Sequence, residues 1–496
     1  MRWREISDKF RGPLALAAGL SMPLAFAPFE LFFIAPLSVA ALFLLWHDVS
    51  PRVAARSGFF YGCGMFLAGT YWTFVSVHTF GKAPAALAVF LVVAMVAILA
   101  TYIAALGYIA RRWLRGADSV NWLLVLPGAW VLMEWVKGWA FSGFPWLSLG
   151  YSQIDVPLAG LAPVTGIYGM SWAVVVTAGT VCALVLGDRR TRVVATISVV
   201  GLWVLAAALG TVAWTGPNGD SLRVSLIQGG IPQDRKWLPE QRQPTLDLYR
   251  QLTEQNRDSQ LVVWPEAAVP AVMDQVSGFL DSVAALARHG GPDVLTGVLR
   301  RNPATGQLEN SLIVLGPGGQ VYSKRHLVPF GEYFPVPGFV RERMRLMNLP
   351  HSDLAAGADD QPLLIVAGQR IAANICYEDV FGEEQLRFLP QATLLVNVSN
   401  DAWFGDSIAP HQHLQIARMR ALETGRYLLR ATNNGITAII DPYGKIEQRS
   451  PQFRTHVLTA VVEPRDGATP YVRFGNWLIV LLAVAATATG ALVRQR

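Results

Sequence analysis

The chain has 496 residues, of which 52% are hydrophobic and only 15% charged, and its mean hydropathy is +0.34. Soluble globular proteins carry roughly a quarter charged residues, so this composition indicates a membrane protein and excludes disordered, collagen-like and small disulfide-rich classes. The net charge of +6 could indicate a nucleic-acid partner, but nucleic-acid-binding proteins are far more polar, and no such partner is predicted.

Long apolar runs predict about eight transmembrane helices, because a hydrocarbon core about 30 Å thick takes roughly 20 helical residues to cross. The predicted spans are Pro13–Pro28, Leu31–Trp46, Gly58–Phe80, Pro84–Ala110, Trp122–Trp135, Val164–Leu186, Val193–Trp214 and Trp477–Val493. Seven of them form a predicted helical bundle over residues 1–215, and residues 477–496 form a separate C-terminal helix. A cleavable signal peptide ending near Ala27 is an alternative for the first run, with the same topology downstream.

Basic residues mark one side of this predicted bundle. Fourteen of them lie at the two ends of the chain or in alternate connections: Arg2, Arg4, Lys9, Arg11, Arg52, Arg56, Arg111, Arg112, Arg115, Arg189, Arg190, Arg192, Arg494 and Arg496. The intervening connections hold only Lys82 and Lys137. By the positive-inside rule, both termini are predicted to be cytoplasmic and residues 216–476 to lie on the opposite side of the membrane.

Residues 216–476 have the length and polarity of one globular domain. Runs rich in Val, Ile and Leu predict strands at Leu222–Gln228, Leu261–Trp264, Val294–Val298, Ser311–Leu315, Ile371–Cys376, Thr393–Val398, Tyr427–Ala431 and Thr437–Ile440. Helical patterns occupy Thr245–Arg257, Val276–Ala287 and His413–Glu423. Strands alternating with helices predict an α/β layered domain.

The three cysteines provide the first chemical signal. Cys63 and Cys182 fall inside predicted spans, so Cys376 has no obvious disulfide partner in the exported domain. An unpaired cysteine in an oxidising compartment suggests a reactive thiol, and the alternative is a buried, inert small residue. Cys376 ends an apolar strand and is followed by polar residues, as at the strand edges where α/β proteins form their sites.

Two further segments carry candidate catalytic side chains. Glu266 directly follows a buried strand and is flanked by Pro265 and Pro270, which suits a rigidly held general base. Lys324 and Glu332 lie in a Pro- and Gly-containing loop, for which the alternative interpretation is a solvated hairpin extension.

The segments WPEAAVP, YSKRHLVPFGEYFP and NICYEDVF, in this order, resemble the Glu–Lys–Cys signature of the nitrilase (carbon–nitrogen hydrolase) superfamily. Together with the flanking spans, they resemble the apolipoprotein N-acyltransferase family over nearly the whole chain. Supporting stretches are PQDRKW at 232–237, NVSNDAWFG at 397–405 and FSGFPWLSLGYSQ at 141–153. The resemblance implies an α+β membrane protein, in which a helical bundle accompanies a nitrilase-like α-β-β-α sandwich in the bacterial periplasm.

The resemblance also implies an activity and its residues. Glu266 would be the base, Lys324 its catalytic partner and Cys376 the nucleophile, and the lysine and the carboxylate are expected to raise the usable thiolate fraction. The implied reaction moves an acyl chain from a membrane phospholipid, through a thioester on Cys376, to the α-amine of the diacylglyceryl-modified N-terminal cysteine of an apolipoprotein. The enzyme would sit in the lipid bilayer of the inner membrane, and no cofactor is implied.

Four more residues match family positions or their neighbourhood. Glu332, Tyr377 and Glu378 are assigned to positioning and transition-state support, and the alternative for the two glutamates is a structural ion pair. Trp237 matches a substrate-binding position, and its alternative is a packed core residue.

The segment 338–349 mixes apolar and arginine side chains, which suits the interface of a membrane with lipid phosphates. We predict a lid that dips into the outer leaflet, with Phe339, Met344, Met347 and Leu349 as its apolar contacts; the alternative is an ordinary amphipathic surface segment. His411 and His413 resemble a metal pair but lack a third ligand motif, so no metal is predicted.

Two rival functions remain on this basis. A membrane-tethered amidase or nitrilase would use the same triad with water as acceptor, and would release free acid or ammonia. A sensor or transporter without catalysis would only bind a ligand. The intact Glu266, Lys324 and Cys376 argue against the second rival, as does the lack of paired charges within the spans.

Overall fold

The computed structural model describes residues 7–114, 118–316, 318–333 and 354–493. The chain divides into two compact units, one made of Met1–Phe74, Pro84–Ala213 and Arg473–Arg496 and the other of Val75–Ala83 and Trp214–Val472. The predicted lid residues, from Phe339 to Leu349, lie outside the described residues, so the lid stays a prediction from the sequence.

The first unit is helical. Its main α-helices are Asp8–Ser21, Ile34–Trp46, Pro51–Thr70, Ala85–Arg112, Leu126–Lys137, Ala162–Leu186, Arg189–Leu209 and Trp477–Val493. Within the described residues, three helices are long and apolar enough to cross a membrane, namely Ala85–Arg112, Pro157–Leu186 and Arg189–Leu209. Two shorter apolar helices are Ile34–Trp46 and Trp477–Leu492.

Several of the eight apolar runs are therefore divided between shorter elements. The run Pro13–Pro28 contains the end of one α-helix and the 3-10 turn Met22–Ala25, which begins beside Pro23. The run Gly58–Phe80 contains the end of the helix Pro51–Thr70 and then a π-helical turn, Val75–Phe80. Hydropathy measures how apolar a segment is and does not register such interruptions.

Glycines in the helix Pro51–Thr70 permit close packing against the helix Ala85–Arg112. A Cβ atom at Gly58 would lie 2.7 Å from the carbonyl oxygen of Ile103, and one at Gly62 would lie 2.7 Å from Cα of Ala100. The spacing of Gly58 and Gly62 thus lets the two helices pack closely.

The second unit contains fifteen strands within its described residues. They are β1 Thr215–Pro217, β2 Leu222–Gln228, β3 Leu261–Val263, β4 Val269–Val272, β5 Asp293–Arg301, β6 Leu308–Leu315, β7 Val321–Ser323, β8 Leu364–Val366, β9 Gln369–Ile375, β10 Leu394–Ser399, β11 Leu428–Thr432, β12 Ala438–Ile440, β13 Ile446–Arg449, β14 His456–Val462 and β15 Arg465–Gly467. Its longer helices are Pro239–Gln255, Ser277–Arg288 and Ala409–Thr424. All eight predicted strands and all three predicted helices are present, with bounds shifted by a few residues.

Two mixed sheets form the body of this unit. One has the order β14-β2-β3-β5-β6-β7, with β4 beside β5, and the other has the order β13-β12-β11-β10-β9-β8. The central pairs β2–β3, β3–β5, β9–β10 and β10–β11 are parallel. Strands β1 and β15 form a separate antiparallel pair.

Alternating side chains place the main core between the sheets. Val224 and Leu226 of β2 share one apolar cluster with residues of β9, β10 and β11, whereas Ile227 belongs to a second cluster. The second cluster includes residues of the helices Pro239–Gln255 and Ser277–Arg288, and the helix Ala409–Thr424 covers the other sheet. Successive residues of a strand face opposite sides, so this pattern produces the layers helix, sheet, sheet, helix.

Candidate active site

Glu266 lies three residues beyond the end of β3, in a tight turn. The next residue, Ala267, has a left-handed backbone with φ of 45°, which is uncommon for a residue with a side chain. Gly297 of β5 lies directly beneath this turn, where a Cβ atom would be 2.5 Å from the nitrogen of Ala267 and 2.6 Å from the oxygen of Pro265. The absence of a side chain at Gly297 therefore lets the backbone that carries Glu266 approach the sheet.

Lys324 lies directly after β7, between two carboxylates. Its Nζ is 2.8 Å from Oε1 of Glu332 and 3.6 Å from Oε1 of Glu266, and its side chain is only 1% exposed. Asn310 of β6 donates a hydrogen bond of 2.7 Å to Oε1 of Glu266 and one of 3.4 Å to Oε1 of Glu332. Two of the three triad residues predicted from the sequence are thus in direct contact.

Burial alone would favour the neutral amine of Lys324, but the charges of Glu332 and Glu266 outweigh this effect and raise its pKa above the usual value. The side chain is accordingly an ammonium at every pH at which the protein would work. It can therefore supply a fixed positive charge rather than exchange protons.

Cys376 is the first residue after β9 and is partly buried. It also has a left-handed backbone, with φ of 54°, and the side-chain amide of Asn397 donates a hydrogen bond of 3.3 Å to its carbonyl oxygen. A nucleophile placed on such a sharp bend between a strand and a helical turn presents its side chain at the end of the sheet.

The electrostatic environment of Cys376 favours the neutral thiol. Burial and the nearby charge of Glu266 raise the pKa of Cys376 well above its usual value, while Lys324 acts in the opposite direction. From the sequence, both Lys324 and Glu266 are expected to favour the thiolate. Of these two residues, only Lys324 lowers the pKa of Cys376. The resting cysteine is therefore a neutral thiol, and Glu266 is a carboxylate close enough for its charge to act on that thiol.

Two parts of the sequence match known families, and the second part contains this site. Residues 18–180 match the family described as apolipoprotein N-acyltransferase N-terminal domain, and residues 223–469 match the carbon–nitrogen hydrolase family. An apolipoprotein N-acyltransferase of Methylococcus capsulatus is 46% identical over 465 residues, which cover 94% of this chain and 92% of that protein. The chain belongs to the apolipoprotein N-acyltransferase family.

The chain is also similar to a second relative and, more distantly, to a solved structure. The apolipoprotein N-acyltransferase of Pseudomonas putida is 44% identical, with 97% of this chain and 96% of that protein covered. Among solved structures, an amidase from Nesterenkonia aligns with a TM-score of 0.38 at 19% identity, covering 52% of this chain and 94% of that one.

In this member of the apolipoprotein N-acyltransferase family, Glu378 joins the segment that follows Lys324 to the turn that contains Cys376. Its carboxylate accepts hydrogen bonds of 2.7 Å from the backbone N–H of Arg325 and of Ile375, and one of 3.2 Å from that of His326. The hydroxyl of Tyr322 lies 3.0 Å from both of its oxygens. These contacts are with neutral donors rather than the ion pair considered as an alternative, whereas Glu332 does pair with Lys324.

Tyr377 and Trp237 both have accessible side chains. The ring of Tyr377 contacts those of His326 and Phe381, with centroids 5.9 and 5.1 Å away. Trp237 is 46% exposed, in the turn before the helix Pro239–Gln255. The alternative interpretation of Trp237 as a packed core residue is therefore wrong.

A buried network of four charged side chains lies next to the turn that contains Cys376. His413 is 2.8 Å from Asp379 and 2.9 Å from Asp401, and Arg430 contacts the same two carboxylates at 3.1 and 2.9 Å. Burial and Arg430 oppose the charged imidazole, but the two aspartates outweigh them and raise the pKa of His413 to about 9. His413, considered above as half of a metal pair, is thus engaged in an ion-pair network in this structure.

The segment Val75–Ala83 belongs to the same compact unit as this network. The hydroxyl of Ser76 donates a hydrogen bond of 2.8 Å to the carbonyl oxygen of Trp403, and the rings of Phe80 and Trp403 make an edge contact at 6.3 Å. Trp403 lies in the helical turn Asp401–Phe404, which begins with a member of the network. The hydropathy pattern assigns most of this segment to a membrane span and gives no sign of these contacts.

Two buried residues of the site were missed by sequence reasoning. Asn310 carries no motif, and the only signal is its place in a short polar stretch at the start of strand β6. Lys236 lies in the PQDRKW stretch, where Trp237 is the residue that matches the family, and its Nζ donates a hydrogen bond of 3.2 Å to the carbonyl oxygen of Glu266. Buried polar residues at strand edges and in turns are the signal that would have found both.

Proposed function

We propose that this protein transfers a fatty acyl chain from a membrane phospholipid to the N-terminal α-amine of the diacylglyceryl-cysteine of apolipoproteins, the last step of lipoprotein maturation. The observation that carries the proposal is similarity over nearly the full length to relatives named apolipoprotein N-acyltransferase. The buried contacts of Lys324 with Glu266 and Glu332 support it, because they provide the acid–base and electrostatic groups that acyl transfer needs.

In the first half-reaction, the sulfur of Cys376 attacks the ester carbonyl carbon of the phospholipid. A carbon–sulfur bond forms, the ester carbon–oxygen bond breaks, and Glu266 carries the thiol proton to the departing lysophospholipid oxygen. The negative charge that develops on the carbonyl oxygen is stabilised by Lys324 and by backbone N–H groups near Cys376. Such a donor typically contributes about 3 kcal/mol to transition-state stabilisation.

In the second half-reaction, the neutral α-amine of the acceptor attacks the thioester carbon. A carbon–nitrogen bond forms and the carbon–sulfur bond breaks. Glu266 takes a proton from the amine nitrogen and returns it to the sulfur of Cys376, which restores the resting thiol. One carboxylate therefore serves both halves of the reaction, and no cofactor is required.

The supporting residues have roles that follow from their contacts. Glu332 fixes the ammonium of Lys324, and Glu378 fixes the two loops that carry Lys324 and Cys376. The exposed side chain of Trp237 and the partly buried side chain of Tyr377 are available to contact the acyl chain or head group. These assignments extend the triad without adding a second proton-transfer group.

The membrane arrangement is part of the proposal. Eight spans with both termini in the cytoplasm would place residues 216–476 in the periplasm, beside the lipid substrates of the outer leaflet. The alternation of basic connections supports this arrangement. In intact cells, a membrane-impermeant maleimide should label a cysteine introduced at Lys445 but not one at Arg190; the reverse pattern would invert the topology.

The central experiment is intact mass spectrometry of the full-length protein incubated with phospholipid alone. We expect wild type and a Cys63→Ala control to gain one acyl mass, and Cys376→Ala to gain none. Addition of a diacylglyceryl lipopeptide should then discharge the adduct and yield the N-acylated peptide. No adduct on wild type, or an adduct on Cys376→Ala, would exclude the thioester.

The same experiment distinguishes an acyltransferase from the amidase or nitrilase alternative. A hydrolase would release free fatty acid at the same rate with or without the lipopeptide, and the peptide amine would stay unmodified. Accumulation of the adduct until the acceptor is added is the result expected of a transferase.

A further inference from the structure

Lys236 is a second lysine buried beside the triad. Its side chain is inaccessible, at 1% exposure for the residue, and its Nζ donates a hydrogen bond to the carbonyl oxygen of Glu266. Among the described residues, no carboxylate oxygen lies within 4.0 Å of its Nζ, in contrast to the two beside Lys324. A buried lysine without an ion pair is costly for folding, so it is expected to have a function.

The charges of the site explain what this lysine contributes. Glu266 and Glu332 bring two negative charges, and Lys324 brings one positive charge. Without Lys236, the side chains of Glu266, Glu332 and Lys324 together would carry one net negative charge, which opposes any further negative charge on sulfur or on a carbonyl oxygen. A protonated Lys236 offsets this charge.

Lys236 keeps its charge at neutral pH despite burial. Burial lowers the pKa of Lys236 to about 8, and the charges of Glu266 and Cys376 act in the opposite direction. The ammonium therefore still predominates at pH 7. Its electrostatic coupling to Cys376 means that the charge is felt by the sulfur as well as by the carboxylate.

We propose that Lys236 is a positioning residue whose ammonium fixes the backbone of Glu266 and favours the loss of the proton from Cys376. The inference rests on the roles of these two residues in the proposed function. It differs from the role of Lys324, because Lys236 contacts the backbone behind the base rather than the carboxylate itself.

The test is alkylation of Cys376 in the detergent-solubilised full-length protein by iodoacetamide, a small neutral reagent. The rate at Cys376 is followed by peptide mass spectrometry between pH 6 and 10. The variants are Lys236→Met, which lacks the charge and the donor, and Lys236→Gln, which lacks only the charge. Lys445→Met, at an exposed position, is the control.

We expect alkylation at pH 7, where the ammonium of Lys236 predominates, to slow about tenfold in both Lys236 variants, with the rise in rate displaced to higher pH, and to be unchanged in the control. Rates within about twofold of wild type in both variants would overturn the proposal, and so would a loss confined to Lys236→Met. Unfolding of both variants in a thermal scan would likewise overturn it, because the lysine would then be structural. Since alkylation requires only a free thiol, none of these results depends on acyl transfer.

Discussion

The side-chain amide of Asn310 donates a hydrogen bond of 2.7 Å to the carboxylate of Glu266. The same nitrogen lies 3.4 Å from Glu332, so one amide group spans the two carboxylates that flank Lys324. The distance between Glu266 and Lys324 is therefore fixed by a neutral residue of β6 and not by the opposite charges alone. This arrangement leads to the first prediction.

Replacing Asn310 by Leu should slow formation of the acyl adduct about ten- to a hundredfold. A hydrogen bond to a charged group contributes roughly 1.5–3 kcal/mol, and its loss leaves Glu266 free to rotate away from the thiol. The rate is measured by intact mass spectrometry after mixing with phospholipid. Asn218→Ala, at a position that bonds Asp466 of β15, is the control and should react at the wild-type rate.

Replacing Gly297 by Ala should impair activity more than the addition of one methyl group suggests. The new Cβ would meet backbone atoms of Pro265 and Ala267, which cannot rotate away, so the turn carrying Glu266 must shift. We expect the acyl adduct to form more slowly and the unfolding temperature to be lower. Gly278→Ala is the matched control, because nothing lies within 4 Å of its Cβ and the position is helical. Equal behaviour of the two variants would contradict the prediction.

Replacing Glu378 by Ala should lower the free energy of unfolding by about 2–4 kcal/mol. Three backbone N–H groups would lose their acceptor at once, and each buried unsatisfied group costs roughly 1–3 kcal/mol, part of which water can recover. Thermal unfolding of the solubilised protein measures the loss, with the exposed Glu463→Ala as control. Wild-type stability would show that these donors find other partners.

The network around His413 should make stability depend on pH. Because the folded-state pKa of about 9 lies above the ordinary 6.5, the contribution of the imidazolium is complete below pH 6.5 and is lost as the pH rises through 9. It amounts to about 3 kcal/mol at most. The difference in unfolding temperature between wild type and His413→Gln should be large at pH 6 and should shrink by pH 9.5. A difference that grows with pH would contradict this assignment.

Local patterns were sufficient to predict the strands, and they singled out Glu266, Lys324 and Cys376 as candidate catalytic residues. Strands such as β2 and β10 are rich in Val, Leu and Ile, and the three motifs that contain Glu266, Lys324 and Cys376 are specific. Asn310 and Lys236 could not be found in this way, because their importance arises only when distant segments meet around Glu266. A polar residue in a strand or turn looks the same in the sequence whether it faces water or a buried carboxylate.

Hydropathy also had a physical limit. It measures how apolar a segment is, and the segment Val75–Ala83 is apolar enough to continue a predicted span. The structure instead assigns it to the unit that holds the candidate catalytic residues, where Ser76 and Phe80 contact Trp403. Exposing an apolar side chain to water has the same cost whether lipid or protein finally covers it, so composition alone cannot separate the two outcomes.

This segment has a practical consequence for dissecting the enzyme. A soluble fragment that spans only residues 214–472 would omit a part of its own fold, since the piece that covers Trp403 comes from a distant stretch of the chain. Such a truncation would leave an aromatic surface open to water and to self-association. A minimal version of this unit would have to carry residues 75–83 as a grafted peptide, and without it weak activity would reflect the truncation rather than the chemistry.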